Sequence, residues 1–285
     1  NANARKLRQK RSNSIAVVMH LPARASSQWS GPFVFQLLAD VAMGLRLRHQ
    51  DLLLCSPESE HPIAYKDMLA SKGVDGIIFL GQGPGDEWLR DVANSNAPVV
   101  VWGAADPDGR YCTVGSNNLR GGLLVGEHFA KLKRNKSLFI GNRAHPEMAL
   151  RYEGLKKGFE RTSGPAKVEY LEVADFSFET ALQAVSDFMD SSATEMPDAI
   201  FAASDAIAMA ALTCMQVRGI KVPDHVSLVG YDDMPAAALV KPALTTVRQD
   251  TREAANLLLE KLFQALDGGR PKSAMLPTEL IVRET

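Results

Sequence analysis

Arg151 and Asp232 are the two charged residues whose surroundings best suit the binding of a polar molecule. Arg151 lies in EMALRYEGLKKGF, at the start of a predicted helix that follows the apolar run SLFIG. A cation early in a helix opposes the helix dipole, which suggests a specific partner such as a ligand oxygen; an ordinary surface arginine is the other reading. Asp232 and Asp233 follow the run VSLVGY. Neighbours on an extended backbone point to opposite sides, so the two make a poor acid–base pair and one at most faces a ligand. A carboxylate at the carboxyl end of a strand suits hydrogen bonding to two adjacent hydroxyls. Capping the short segment that follows is the rival role. Trp29, Phe33, Trp102 and Phe176 stand in or near loops after strand-like runs, where an aromatic face can stack on a sugar ring or a base. Taken singly, each reads first as core packing.

Other chemistries find little support. There is no G-x-S-x-G elbow and no nucleophile–base arrangement. GQGPGD, from Gly81 to Asp86, lacks the dinucleotide spacing and a P-loop lysine, and reads as a tight turn. His20, His49, His61, His128, His145 and His225 are scattered, with no ligand pair at helical spacing, so neither a metal nor a cofactor is expected.

The elements that must position these residues alternate along the chain. Strand-like runs fall at Ser14–Met19, Asp51–Cys55, Gly76–Leu80, Pro98–Trp102, Ser137–Ile140, Val168–Leu171, Ala199–Ala202, Val226–Val229 and Leu276–Val282. Between them lie helical patterns. Phe33, Leu37, Val41 and Leu45 form one stripe, Pro62 opens another helix, and Asn117 or Asn118 caps one reaching about Lys133. Ser204-Asp205 caps a further helix that Gly219 and Pro223 end. Strands apolar on both faces and alternating with helices imply parallel sheets covered on both sides. Nine runs exceed one comfortable sheet for 285 residues, so the expected class is α/β with two doubly wound lobes. Ligands in such folds bind beyond the carboxyl ends of the strands.

Composition narrows the setting. A hydrophobic share of 46% with 23% charged residues is that of a soluble globular chain. Cys55, Cys112 and Cys214 are sparse and odd in number, which points to a reducing, cytoplasmic compartment. No apolar run is long enough to span a membrane. Net charge is −1, yet Arg5, Lys6, Arg8, Lys10 and Arg11 crowd the opening. Such a run is either a solvated tail or a contact for an anionic surface.

Taken together, several stretches resemble the lactose/galactose/purine repressor (LacI/GalR) family of bacterial transcription regulators. They are NANARKLRQKRSNSIAVV, VGSNNLRGGLLVGEHF, ALRYEGLKKGF, DAIFAASDAIAMAALTCMQVRGIKVPDHVSLVGYDDMP with PALTTVRQD, and LPTELIVRET. The resemblance spans essentially the whole chain. It implies a periplasmic-binding-protein-like (type I) pair of lobes with three crossovers. Residues 1–13 would be a hinge remnant, 14–132 plus 248–271 the N-terminal subdomain, and 133–247 plus 272–285 the C-terminal one. An effector, a sugar or a derivative, would sit between the lobes, with Arg151 and Asp232 as polar anchors and Phe176 as an aromatic wall. Ser204, Gln249, Glu147, Asn117, Phe33, Ser27 and Trp29 would complete the site. Asn117 stands where many members have Asp, and Glu147 where relatives often have a small hydroxyl residue, so the ligand cannot be copied from a relative. The family's helix-turn-helix would precede Asn1. Arg5 and Arg8 would contact operator phosphates, and Leu7 would wedge into the minor groove from a hinge that is helical only on DNA. A homodimer follows from twofold operators. A secreted sugar-binding protein of a transporter shares the lobed fold; the basic prefix, the unpaired cysteines and PALTTVRQD favour the regulator.

Overall fold

The computed structural model describes residues 11–19, 31–55, 67, 69–71, 73–82, 89, 92, 97–164, 166–191 and 195–285. The described chain divides into two units. The first takes the residues up to Met19, those within Val34–Ser116, and Asp250–Leu276; the second takes Gly31–Phe33, the described residues of Asn117–Gln249, and Pro277–Thr285. Besides the change at 33/34, the chain passes between units at 116/117, 249/250 and 276/277, where the resemblance implies crossovers near 133, 248 and 272.

The first unit is built on a six-stranded sheet. Its strands are β1 (Ser14–Met19), β2 (Asp51–Cys55), β3 (Gly76–Leu80), β4 (Val99–Trp102), β5 (Cys112–Ser116) and β11 (Ala274–Leu276), in the order β11-β5-β4-β3-β1-β2. Every pairing is parallel. β1, β3 and β4 are buried along nearly their whole length, as their unbroken apolar runs require. Helix α1 (Pro32–Leu47) buries the predicted stripe: Phe33 is 6% exposed and Leu37, Val41 and Leu45 are fully buried. The helix opened by Pro62 lies outside the described residues, as does most of GQGPGD. Gly81 of that segment adopts φ +112°, a conformation natural only to glycine.

The second unit carries β6 (Lys136–Gly141), β7 (Lys167–Glu172), β8 (Ala199–Ala202), β9 (Ser227–Asp232), β10 (Thr245–Arg248) and β12 (Glu279–Ile281), ordered β12-β10-β9-β8-β6-β7. β12 runs antiparallel to β10, so this sheet is mixed, a departure from the all-parallel expectation. β5 and β10 escaped the sequence reading because CTVGS and TTVR are short and interrupted by small or hydroxyl residues. The closing run reads as one strand but is two. Pro277 breaks it, and the halves pair in different sheets.

Helices α2 (Asn118–Lys131), α3 (Pro146–Thr162), α4 (Phe178–Asp190) and α5 (Asp205–Val217) cover the second sheet; α6 (Thr251–Leu266) packs on the first. α2 and α3 approach backbone to backbone through glycines. A Cβ on Gly122 would lie 2.0 Å from the Arg151 carbonyl oxygen, and one on Gly126 2.2 Å from that of Leu155. From the other side, a Cβ on Gly154 would lie 2.2 Å from the Leu119 oxygen. The glycine-rich spacing of NLRGGLLVG and YEGLKKGF therefore brings Arg151 close against α2.

Candidate functional site

The second sheet reverses its strand order at β6, with β7 on one side and β8 on the other. The loops after β6 and β8 thus flank a switch point, the position where doubly wound sheets hold ligands. α3 follows β6 and carries Arg151 five residues beyond Pro146. Arg151 therefore lies in the second turn, where the helix dipole has faded, and the dipole mismatch read from the sequence disappears. What holds it is more specific. Its Nε donates to Asn118 Oδ1 at 2.8 Å and its Nη1 to the Ala203 carbonyl that follows β8. Its guanidinium carbon sits 3.6 Å from the centre of the Tyr231 ring. Arg151 is only 7% exposed. A desolvated cation–π contact contributes about 2 kcal/mol, so ring and cation fix one another.

Tyr231 is fully buried, and burial pushes its phenol up to about 12. Gly121 makes room for it, since a Cβ there would lie 2.5 Å from Tyr231 Oη. Asp232 ends β9 at φ +120°, and Asp233 follows at φ +57°. Two non-glycine residues in succession at positive φ store strain, which persists where surrounding bonds dictate it. Asp232 is buried and accepts from Gln249 Nε2 at 2.7 Å. Burial raises its carboxyl to about 7, against the opposing pull of the Arg151 charge, the Gln249 bond and the Asp205 backbone N–H at the start of α5. Asp233 points elsewhere: Arg248 Nε donates to it at 2.7 Å and Arg283 pairs with its other oxygen. One aspartate faces the arginine and the other ties β10 to the chain end. Neither caps the following 3₁₀ turn, whose N-cap, Met234, has no side-chain cap bond.

The remaining predicted positions divide. Ser204 is buried and its hydroxyl accepts from Ile207 N–H at 3.3 Å, so it caps α5. Asn117 caps α2 through Arg120 N–H at 3.0 Å. Its neighbour Asn118, not Asn117, turns inward to Arg151. Phe176 is half-buried and meets the His145 ring edge-on at 5.4 Å. Burial lowers the His145 pKa. Glu147 occupies the first turn of α3 and is partly exposed. Phe33 opens α1, whose body belongs to the first unit. Ser27, Trp29, Arg5, Leu7 and Arg8 lie outside the described residues. The sequence reading thus missed Asn118, Tyr231 and Asp205 as parts of this constellation. The doubled Asn and the Tyr just before Asp232 were the available signals.

The raised Asp232 carboxyl has a consequence for stability. In the unfolded chain an aspartate titrates near 3.9, so the folded group holds its proton to higher pH. Its favourable share is complete below about pH 4 and fades as pH rises through about 7. Compared with Asp232→Asn, the wild-type chain should lose stability between roughly pH 4.5 and 7.5. Denaturant melts at both ends of that window test this, and a constant difference would contradict the raised value.

The sequence pattern of the periplasmic binding protein-like domain family matches residues 127–285. The HTH-type transcriptional regulator DegA of Bacillus subtilis is 29% identical over 293 aligned positions, covering 100% of this chain and 84% of that protein. Among solved structures, a transcriptional regulator CelR–cellobiose complex aligns with a TM-score of 0.81 at 24% identity, covering 96% of this chain and 84% of that one. A lac repressor dimer bound to operator and an anti-inducer aligns at 0.84 with 23% identity, covering 100% and 98%. Two mostly parallel doubly wound sheets, the buried arginine–aspartate constellation after β6 and β9, and these likenesses agree. The chain belongs to the periplasmic binding protein-like domain family.

Proposed function

We propose that this chain is the effector-binding core of a repressor, and that Arg151 and Asp232 are the anchors for a sugar or sugar derivative. The observation that carries the reading is a buried arginine fixed by Asn118, Ala203 and Tyr231 beside a buried carboxylate held by Gln249. Prealigned donors and acceptors of opposite kind suit a ligand with adjacent hydroxyls, because an analogue lacking one leaves a buried polar group unpaired. Phe176 supplies an aromatic face. Glu147, Ser204, Asn117, Phe33, Ser27 and Trp29 remain proposed contributors. The cellobiose bound to CelR supports the ligand class. Effector binding would change operator affinity by favouring one arrangement of the regulator over another. Arg5, Leu7 and Arg8 would meet operator DNA beside a helix-turn-helix preceding Asn1. No catalytic step is assigned.

A melting-temperature screen of sugars, polyols and nucleosides tests the reading. A sugar should raise the transition with concentration as mass action requires. Stabilisation by nucleosides alone would replace the sugar class, and no stabilisation by any panel member would remove the effector assignment.

We also propose a homodimer. α1 presents a second apolar stripe away from its buried one: Phe35, Met43 and Leu47 are 52%, 51% and 72% exposed. On the edge strand β2, Leu53 and Leu54 are also exposed. An apolar surface on a sheet edge is a site that soluble chains cover. A second copy fits because twofold operators call for a twofold protein. Met43→Glu with Leu54→Glu should shift the sedimenting species from dimer to monomer at micromolar concentration. A monomeric wild-type chain would remove the proposal.

A further inference from the structure

Asp205 is a fully buried carboxyl group in the first turn of α5. The Thr246 hydroxyl donates to its Oδ1 at 2.6 Å, and the Met234 N–H donates to its Oδ2 at 2.8 Å. Thr246 Oγ1 in turn accepts from the Asp233 N–H at 3.3 Å. The two peptide N–H groups that follow Asp232 are therefore both satisfied, directly or through Thr246, by one side chain. β9 gives way for that side chain: a Cβ on Gly230 would lie 2.3 Å from Asp205 Oδ1. The Asp205 backbone N–H also faces the Asp232 carboxylate. A residue bonded on three sides to the segment around a doubly left-handed turn does more than start a helix, for which Ser204 already supplies the cap.

We infer that Asp205 is a positioning residue for Asp232: its carboxyl group fixes the Asp232–Asp233 turn and so aims the Asp232 carboxylate at Gln249 and Arg151. The motif Ser204-Asp205 thus has divided labour. Ser204 caps α5, while Asp205 reaches across to β9 and β10. The inference matters for ligand binding only through the proposed anchor role of Asp232, but it is tested without any ligand.

The test is nuclear magnetic resonance of the full chain, isotopically labelled. Two readouts report the turn itself: hydrogen exchange of the Met234 and Asp233 amides, and the side-chain amide signal of Gln249, identified by its absence in Gln249→Leu. Asp205→Ala should speed exchange at Met234 by about tenfold or more relative to the amides of β9, the loss of one bond to a buried acceptor. It should also shift the Gln249 signal. Asp205→Asn, which can still accept from Met234, should restore most of both. Arg218→Ala removes the clamp to Asp190 near the other end of α5 and serves as the control for general destabilisation. It should leave the Gln249 signal in place. Thr246→Val removes the bridge to Asp233 and should free that amide and move Gln249, even if Asp205→Ala fails to fold. Wild-type behaviour of the turn in Asp205→Ala, or in Thr246→Val where the former does not fold, would overturn the inference. So would an equal disturbance by Arg218→Ala. A chain that binds no sugar can still pass this test, and a sugar binder can fail it, so the two readings fall separately.

Discussion

Arg151→Met should abolish the ligand-induced rise in melting temperature that a sugar produces in the wild-type chain. Methionine keeps much of the side-chain volume, so the change removes charge and donors more than packing. Removing one partner of a buried charged contact costs about 2–5 kcal/mol in binding, which is about thirtyfold or more in affinity. The free protein should also weaken. Asn118 Oδ1 and the Ala203 carbonyl lose their donor, at about 1–3 kcal/mol per stranded buried group, and Tyr231 loses its cation. Arg151→Lys separates these effects. It keeps the charge but cannot reproduce a planar group bonded through two nitrogens, so it should recover only part of the affinity. Isothermal titration with the sugar found by screening measures all three. Unchanged affinity in Arg151→Met would remove Arg151 from the site.

Gly122→Ala should be the most damaging single-methyl change in the second unit. Alanine is normally the better helix former by about 1 kcal/mol. Here its Cβ would meet the Arg151 carbonyl oxygen at 2.0 Å, and the Arg151 Cα at 3.0 Å. Both are backbone atoms, so no rotamer change relieves the clash and α3 must move away from α2. Overpacking of well-filled cores costs about 1–3 kcal/mol, and a backbone clash belongs at the upper end. The net loss should be about 2 kcal/mol, a fall of about 4–8 °C in melting temperature for a unit of this size. Gly158→Ala, aimed at the Leu123 carbonyl oxygen, should behave alike. The displaced residue in Gly122→Ala is Arg151 itself, so ligand affinity should fall with stability. A loss below about 0.5 kcal/mol by chemical denaturation would show that the helices are not held at glycine contact.

The strands with unbroken apolar runs were legible because burial on both faces leaves a local mark. β1, β3 and β8 lie where that mark placed them. β10 left none, since its Thr245 and Thr246 are buried by bonding to Thr285 and Asp205 rather than by being apolar. The buried stripe on α1 was legible from its spacing, and the second, exposed stripe went unread although its spacing is the same. Periodicity alone does not say which face meets a core.

The family, the alternation of strands and helices, the cap at Ser204 and the two candidate anchors follow from the amino-acid sequence, because each rests on residue types within a short span. Which of two adjacent asparagines reaches Arg151 does not. Successive helical positions differ by about 100° in direction, so only the packing of α2 on α3 turned Asn118 inward and left Asn117 as the cap. The same holds for Asp232 and Asp233. The sequence said that they part, and the tertiary structure chose between them, by setting Arg248 and Arg283 on one and Gln249 with the Arg151 charge on the other.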